Sequence, residues 1–128
     1  MSVYFYPGLL LAGGVGVVFR YWLGRFGDVT TMTSLPYGTL AANLIGCFLI
    51  GLLSTLMIER WPMSSELRII LLTGFLGGFT TFSAFSLETL TMLEQGAGIR
   101  ALLYVGASVV LSVFLCFAGV VLAKQTIL

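Results

Sequence analysis

The third apolar segment of the chain contains the run Gly77-Gly78-Phe79-Thr80-Thr81. Glycine and threonine are poor helix formers, so this run predicts a break in the helix near positions 75–81. Backbone that leaves a helix at membrane depth must be buried in protein or line a water-filled path. Broken membrane helices also expose carbonyl groups that can bind ions. The run therefore indicates handling of an ion or a small solute.

Further hydrogen-bonding side chains lie inside other apolar segments. Tyr104, Ser108 and Ser112 recur every four residues, so they share one face of a helix, and Asn43 shares a face with Thr39. Polar groups are costly in lipid and tend to mark pathways, and each of these side chains can donate a hydrogen bond. We expect a polar track, although bonding within or between helices would also explain such residues.

Two aromatic residues and a carboxylate follow the predicted break. Phe82 and Phe85 are three residues apart, and Glu88 follows one helical turn later. The edge of an aromatic ring is electropositive and can face a dehydrated anion, while ordinary packing would explain the same spacing. A cation channel is expected to carry rings of acidic residues. Because the polar groups at mid-membrane are mainly donors, the sequence favours a small anion.

Several classes of site are excluded by residue type. The chain has no His, so it cannot build a His-ligated metal centre. Cys47 and Cys116 fall inside apolar segments without metal-ligand spacing. The glycines at 74, 77 and 78 lack the strand–helix context of a dinucleotide-binding loop. No catalytic motif is present, and we expect no enzymatic activity.

The elements that position these residues are predicted to be membrane helices. The chain has 128 residues, of which 59% are hydrophobic and 9% charged. Uncharged stretches are long enough to cross a hydrocarbon core of about 30 Å. We expect one all-α integral membrane domain over 1–128, with spans at 4–26, 36–58, 66–93 and 100–123. The first segment lacks a basic start and an Ala-x-Ala site, which favours a span over a cleaved signal peptide.

The basic residues are divided equally between the two ends of the predicted spans. One side carries Arg60, Arg68 and Lys124, and the other carries Arg20, Arg25 and Arg100. Orientation normally follows an excess of Lys and Arg on the cytoplasmic side. Without that excess the chain can insert both ways and form an antiparallel homodimer, which resembles the inverted repeats of larger transporters. The alternative is that one charge still decides a single orientation.

The sequence resembles the Fluc/CrcB family of fluoride channels over essentially its whole length. The resemblance is carried by the run from Gly77 to Phe85, the Gly-x-x-x-Arg of 16–20 and the Gly-Thr-Leu-x-x-Asn of 38–43. It implies an antiparallel, dual-topology homodimer in the plasma (inner) membrane, with two pores. Such a channel would export cytoplasmic fluoride passively and protect the cell from fluoride toxicity.

The resemblance also implies a role for individual residues. The backbone carbonyls of Gly77 and Thr80 would hold a central structural sodium ion at the dimer interface. The fluoride pore would be lined by Phe82, Phe85, Asn43, Tyr104, Ser108 and Ser112. Arg20, Glu88 and Ser83 would lie in a vestibule or beside the pore. Cys116 occupies a position where the hydroxyl track of the family can continue.

Two other functions are compatible with four short spans. A small multidrug-resistance-type exporter relies on a carboxylate in its first helix, which this chain lacks, so Glu88 would have to take that role. A non-transporting assembly factor would use the helix break only as a packing kink. Proton-coupled uptake of a lipophilic cation would favour the first alternative, and a lack of ion flux in vesicles would favour the second.

Overall fold

Apolar sequence with few charged residues forms long helices in the computed structural model, which describes residues 1–30 and 35–127. At 27–30 it describes the backbone only. The first helix extends to Thr30. Along the chain, the elements are α1 (Phe5–Thr30), α2 (Tyr37–Glu59), α3 (Ser65–Ile69), a π-helical stretch (Ile70–Leu76), α4 (Gly77–Phe79), α5 (Phe82–Glu94) and α6 (Gly98–Ile127).

Four helical segments are long and apolar enough to cross a membrane. They are Phe5–Phe26, Tyr37–Glu59, Ser65–Glu94 and Gly98–Ile127. The described residues contain no strand. The prediction of an all-helical, multi-pass membrane protein with four spans is confirmed.

The third of these segments changes its backbone geometry twice. Ser64 caps its start by accepting a hydrogen bond from the N–H of Leu67. From α3 the segment passes through the π-helical stretch into α4. Thr80 (φ −87°, ψ 159°) and Thr81 (φ −152°, ψ 126°) are extended. Gly77 keeps helical dihedral angles (φ −64°, ψ −36°). The non-helical backbone is thus confined to the two threonines, and Thr81 caps the new helix α5.

Close backbone contact joins α2 to α6, its main packing partner. Gly51 of α2 lies against the carbonyl of Cys116, and Gly119 of α6 lies against the carbonyl of Phe48. A Cβ atom at either glycine would overlap with the backbone of the other helix. Small residues of this kind let membrane helices approach closely. This contact fixes α6 beside α2 and sets the position of the side chains between them.

The same kind of contact holds the interrupted segment against α1. Gly16 lies against the carbonyl of Phe75, and Gly78 lies against the carbonyl of Gly13. Since neither glycine has room for a Cβ atom, the backbone around the interruption is pressed directly onto α1. Gly78 is therefore required for packing of this segment against α1.

Large apolar side chains cover the outside of the helices. Leu10 and Leu11 of α1 and Val110, Phe114 and Phe117 of α6 are each more than 60% exposed on the single chain. Such a surface is unfavourable in water and suits contact with lipid or a second protein chain. One cluster of buried residues within the described part of the chain is formed by Phe85, Met92, Ala101 and Tyr104.

Candidate functional site

Asn43 of α2 forms two hydrogen bonds with the backbone at the interruption. Its Nδ2 donates to the carbonyl of Thr81 (3.0 Å), and its Oδ1 accepts from the N–H of Thr81 (2.8 Å). A primary amide has both donors and acceptors, so one side chain can satisfy both backbone groups. The extended backbone at Thr81 is therefore fixed to α2 at mid-span.

Other side chains also form hydrogen bonds with the backbone around the interruption. Arg20, which is half-buried, donates from Nε to the carbonyl of Gly78 (3.2 Å). Thr80 donates from Oγ1 to the carbonyl of Leu76 (3.0 Å). Thr81 Oγ1 accepts from the N–H of Ala84 (3.2 Å) and so caps the start of α5.

A cavity of about 270 Å³ lies at the interruption, between α2, α5 and α6. None of the side chains that line it is charged, and most of the polar ones can donate a hydrogen bond. The lining residues are Asn43, Cys47, Thr80, Thr81, Phe82, Phe85, Ser108, Val109, Ser112 and Val113. The cavity can therefore accommodate a small solute among neutral donors and aromatic rings.

The two phenylalanines of this cavity have different surroundings. Their ring centroids are 5.4 Å apart with an interplanar angle of 46°. Phe85 is 8% exposed and packs on Tyr104, with centroids 5.3 Å apart, whereas Phe82 is 77% exposed. One ring is thus fixed by the core of the chain, and the other is left uncovered at the side of the cavity.

Ser108 contributes a hydroxyl group that has no partner within the described part of the chain. The residue is 7% exposed, and its Oγ is buried without a hydrogen bond. A buried polar group that is left unpaired destabilises the folded state. Ser108 lines the cavity together with the half-buried Ser112, and its hydroxyl has no competing partner within the described chain.

Glu88 of α5 joins three helices beside the cavity. Its Oε1 accepts a hydrogen bond from Thr39 Oγ1 (2.6 Å), and its Oε2 accepts one from the Tyr104 hydroxyl (2.6 Å). Both carboxylate oxygens therefore have partners on the chain itself. Tyr104 is 3% exposed and does not line the cavity. It contacts the site through Glu88 and through the ring of Phe85.

The carbonyl groups expected to hold sodium lose their usual helical donors. In a continuous helix the N–H of Thr81 would bond to Gly77 and the N–H of Ala84 to Thr80, but these two N–H groups donate to Asn43 Oδ1 and to Thr81 Oγ1. Gly77 is exposed and Thr80 half-buried. Unwound carbonyls and the C-terminal ends of half-helices coordinate sodium in broken membrane helices, so Thr80 and Gly77 fit the expected ion.

The profile of one protein family, described as "CrcB-like protein, Camphor Resistance (CrcB)", matches residues 8–120. The chain belongs to the CrcB family. The CrcB relatives include a Rhizobium etli protein that is 42% identical over 117 residues, which cover 91% of this chain and 94% of that protein. An Agrobacterium fabrum protein is 46% identical over 113 residues, which cover 88% of this chain and 90% of that protein.

Both of these CrcB relatives carry the name "Fluoride-specific ion channel FluC". A Rhizobium meliloti protein has the same name and is 42% identical over 115 residues, which cover 90% of this chain and 92% of that protein. The named activity is that of an ion channel, so the CrcB chain belongs to a family that is not enzymatic.

The CrcB fold places the residues singled out by the sequence at different distances from the cavity. Asn43, Phe82, Phe85, Ser108 and Ser112 line it. The remaining candidates do not line it. Ser83 Oγ is 3.3 Å from Thr81 Oγ1, and the carbonyl of Cys116 packs against α2. Arg20 and Glu88 form the hydrogen bonds described above.

Sequence reasoning missed two contributors to the CrcB site. Cys47 lines the cavity, although no role there was predicted for it. Its position one helical turn after Asn43 is the signal that would have placed it there. Thr81 supplies a backbone and a side-chain partner at the interruption, which the threonine content of the run indicated only in general terms.

Proposed function

We propose that the chain is a fluoride-specific ion channel that exports cytoplasmic fluoride passively across the plasma (inner) membrane. One observation supports this proposal above all: the cavity at the interrupted helix is lined by neutral donors and aromatic rings and by no charged side chain. Relatives named as fluoride channels, 42% to 46% identical over nine-tenths of the chain, support the same function.

Fluoride selectivity is proposed to arise from replacement of the hydration shell within this cavity. Ser108 Oγ and Ser112 Oγ are available as donors, and Asn43 has a second amide hydrogen besides the one that bonds to Thr81. The electropositive edge of Phe82 adds a weaker attraction for an anion. Because no fixed cation lines the cavity, the anion is held weakly enough to leave again.

The direction of transport follows from the acidity of hydrogen fluoride. The neutral acid crosses the membrane and dissociates in the less acidic cytoplasm, which traps fluoride inside the cell. A membrane potential that is negative inside lowers the free energy of a monovalent anion by about 2.3 kcal/mol per 100 mV when it leaves the cell. Neither ATP nor a proton gradient is needed for efflux, so a passive pore protects the cell.

We further propose that the channel is an antiparallel, dual-topology homodimer with two pores. Phe82 is 77% exposed on the single chain although it lines the cavity, so the cavity wall is open beside it. A second chain would cover this ring and complete the wall. The equal division of Lys and Arg between the two sides, three against three, supports insertion in both orientations.

A structural sodium ion at the dimer interface is proposed to be held by the carbonyls of Gly77 and Thr80. Two such carbonyls from each of two chains supply four oxygen ligands. When bound, sodium satisfies carbonyl oxygens that have lost their helical donors and adds positive charge between the chains. The chain itself provides the exposed backbone, since Gly77 has no neighbour within 4 Å of a Cβ position.

The proposal is tested with purified protein in liposomes, in which a fluoride electrode follows efflux under a potential set by valinomycin. Chloride under the same potential is the paired control. Fast efflux of fluoride but not chloride, without a pH gradient, is the expected result. Efflux that strictly requires a pH gradient would point to coupled export, and a lack of any flux would point to a non-transporting protein.

A further inference from the structure

A second cavity lies between the C-terminal half of α2 and the start of the third span. Its volume is about 240 Å³, and three aliphatic side chains form one part of its wall. The polar residues of the wall are Arg68, Ser54, Ser65 and Thr73. It shares no residue with the cavity at the interrupted helix.

Arg68 brings an unbalanced positive charge to this second cavity. The side chain is half-buried and makes no ion pair or hydrogen bond with any residue that the structure describes. Glu66, two positions earlier, lies on a different face of the helix, where its oxygens accept from the N–H (2.7 Å) and the Oγ (2.7 Å) of Ser2. Glu59, at the end of α2, forms no ion pair with Arg68 within the described residues.

The hydroxyl groups of the cavity are also available to a ligand. Within the described part of the chain, Ser65 and Thr73 make no side-chain hydrogen bond. Ser54 Oγ makes only a long bond to the carbonyl of Gly51 (3.3 Å) in its own helix. A guanidinium with several hydroxyls around it matches a ligand that has several acceptor oxygens. A single halide ion cannot reach donors distributed around a cavity of this size.

The depth of the cavity indicates where such a ligand comes from. Ser65 and Arg68 belong to the first turn of the third span, which begins at Ser65. The ends of membrane spans lie at the level of the lipid headgroups, where phosphate groups are concentrated. The aliphatic part of the wall suits the glycerol and upper acyl carbons of a lipid. We infer that this cavity binds the phosphate of an anionic phospholipid, with Arg68 as the principal contact.

The inference is tested with the full chain in detergent by native mass spectrometry, in which bound lipid is counted as phosphatidylglycerol is titrated. Phosphatidylcholine, which has no net charge, is the reference lipid. The wild-type chain is expected to bind phosphatidylglycerol about tenfold more tightly than phosphatidylcholine. Excess inorganic phosphate is added as a competitor, and no displacement of the lipid is expected.

Three substitutions locate the site. Arg68→Gln is expected to remove the preference for phosphatidylglycerol. Arg68→Lys preserves the number of basic residues on that side, and therefore the insertion of the chain, but loses the planar fork and is expected to weaken the preference partly. Thr73→Val, which leaves charge unchanged, is expected to lower the affinity about threefold. Arg25→Gln, at the opposite end of the bundle, is the matched control and should retain the preference.

An unchanged preference in both Arg68 variants and in Thr73→Val would overturn the assignment. Displacement of phosphatidylglycerol by inorganic phosphate would overturn the assignment to a lipid. The assay measures bound lipid and not fluoride transport. A negative result would therefore reject the lipid site without rejecting the proposed channel function, and the reverse also holds.

Discussion

Asn43 and Thr81 exchange two hydrogen bonds across the interruption of the third span, Nδ2 to the Thr81 carbonyl at 3.0 Å and the Thr81 N–H to Oδ1 at 2.8 Å. This pair connects α2 to the extended backbone that faces the cavity. It allows a membrane helix to stop and restart without leaving the backbone of Thr81 unpaired in an apolar environment. The stability of the fold and the shape of the cavity therefore depend on the same side chain.

Replacement of Asn43 by Asp should affect both properties. The carboxylate can accept from the Thr81 N–H but cannot donate to its carbonyl, and the loss of that hydrogen bond should cost about 0.5–1.5 kcal/mol of unfolding free energy. The added negative charge at the cavity should also repel an anion and abolish fluoride efflux. Thermal unfolding in detergent and liposome efflux measure the two effects. Ser54→Ala, also on α2, should leave fluoride efflux unchanged.

Phe82→Ile should abolish fluoride efflux without preventing dimer assembly. The exposed ring makes few contacts in the single chain, so its main contribution is the electropositive edge at the cavity. Phe85→Ile should also abolish flux, but with a loss of stability, because that ring packs on Tyr104. Efflux assays and size-exclusion chromatography provide the measurements. The control is Phe117→Ile, on the outer surface of α6, which should transport fluoride normally. Normal transport in both cavity variants would contradict the role of the ring edges.

Ser108→Ala should lower fluoride efflux and leave the protein as stable as before, or more stable. The Oγ atom is buried without a partner, so its removal takes away a group that costs free energy in the folded state. Loss of the same hydroxyl removes a donor from the cavity. Unfolding and efflux are measured on the same preparation. A clear fall in stability would show that the hydroxyl has a partner within the fold. The control is Ser86→Ala on the exposed face of α5, which should leave fluoride efflux unchanged.

Tyr104→Phe should destabilise the protein by about 1.5–3 kcal/mol, the range for a hydrogen bond to a charged group. The variant keeps the aromatic packing on Phe85 and removes only the bond to Glu88 Oε2. Thr39→Val removes the bond to the other carboxylate oxygen in the same way. Thermal unfolding of the two single variants and the double variant forms a mutant cycle. Additive effects would indicate that Glu88 does not couple the three helices.

The spans and the composition of the cavity could be predicted because each depends on local spacing. Hydropathy places four helices, and the four-residue interval between Ser108 and Ser112 puts both hydroxyls on one face. Asn43 and the two phenylalanines were found from residue type and position, and the structure brings them to the same cavity.

Contacts between helices could not be predicted in the same way. The bonds of Glu88 to Thr39 and of Arg20 to Gly78 join residues 49 and 58 positions apart, and they depend on how the helices pack. The location of the extended backbone also depends on such a contact. Gly77 and Gly78 are poor helix formers, yet close packing of Gly78 on α1 keeps them helical, and the partner offered by Asn43 places the extended residues at Thr80 and Thr81.

The central claim, that fluoride passes through the cavity at the interrupted helix, is tested most directly by chemical modification of Cys47, which lines it. Methyl methanethiosulfonate adds a small group to a thiol, and mass spectrometry confirms the extent of reaction. Treated wild-type protein and a treated Cys116→Ala variant should lose most of their fluoride efflux from liposomes, whereas treated Cys47→Ala should retain it. Undiminished efflux from protein fully modified at Cys47 would contradict the claim.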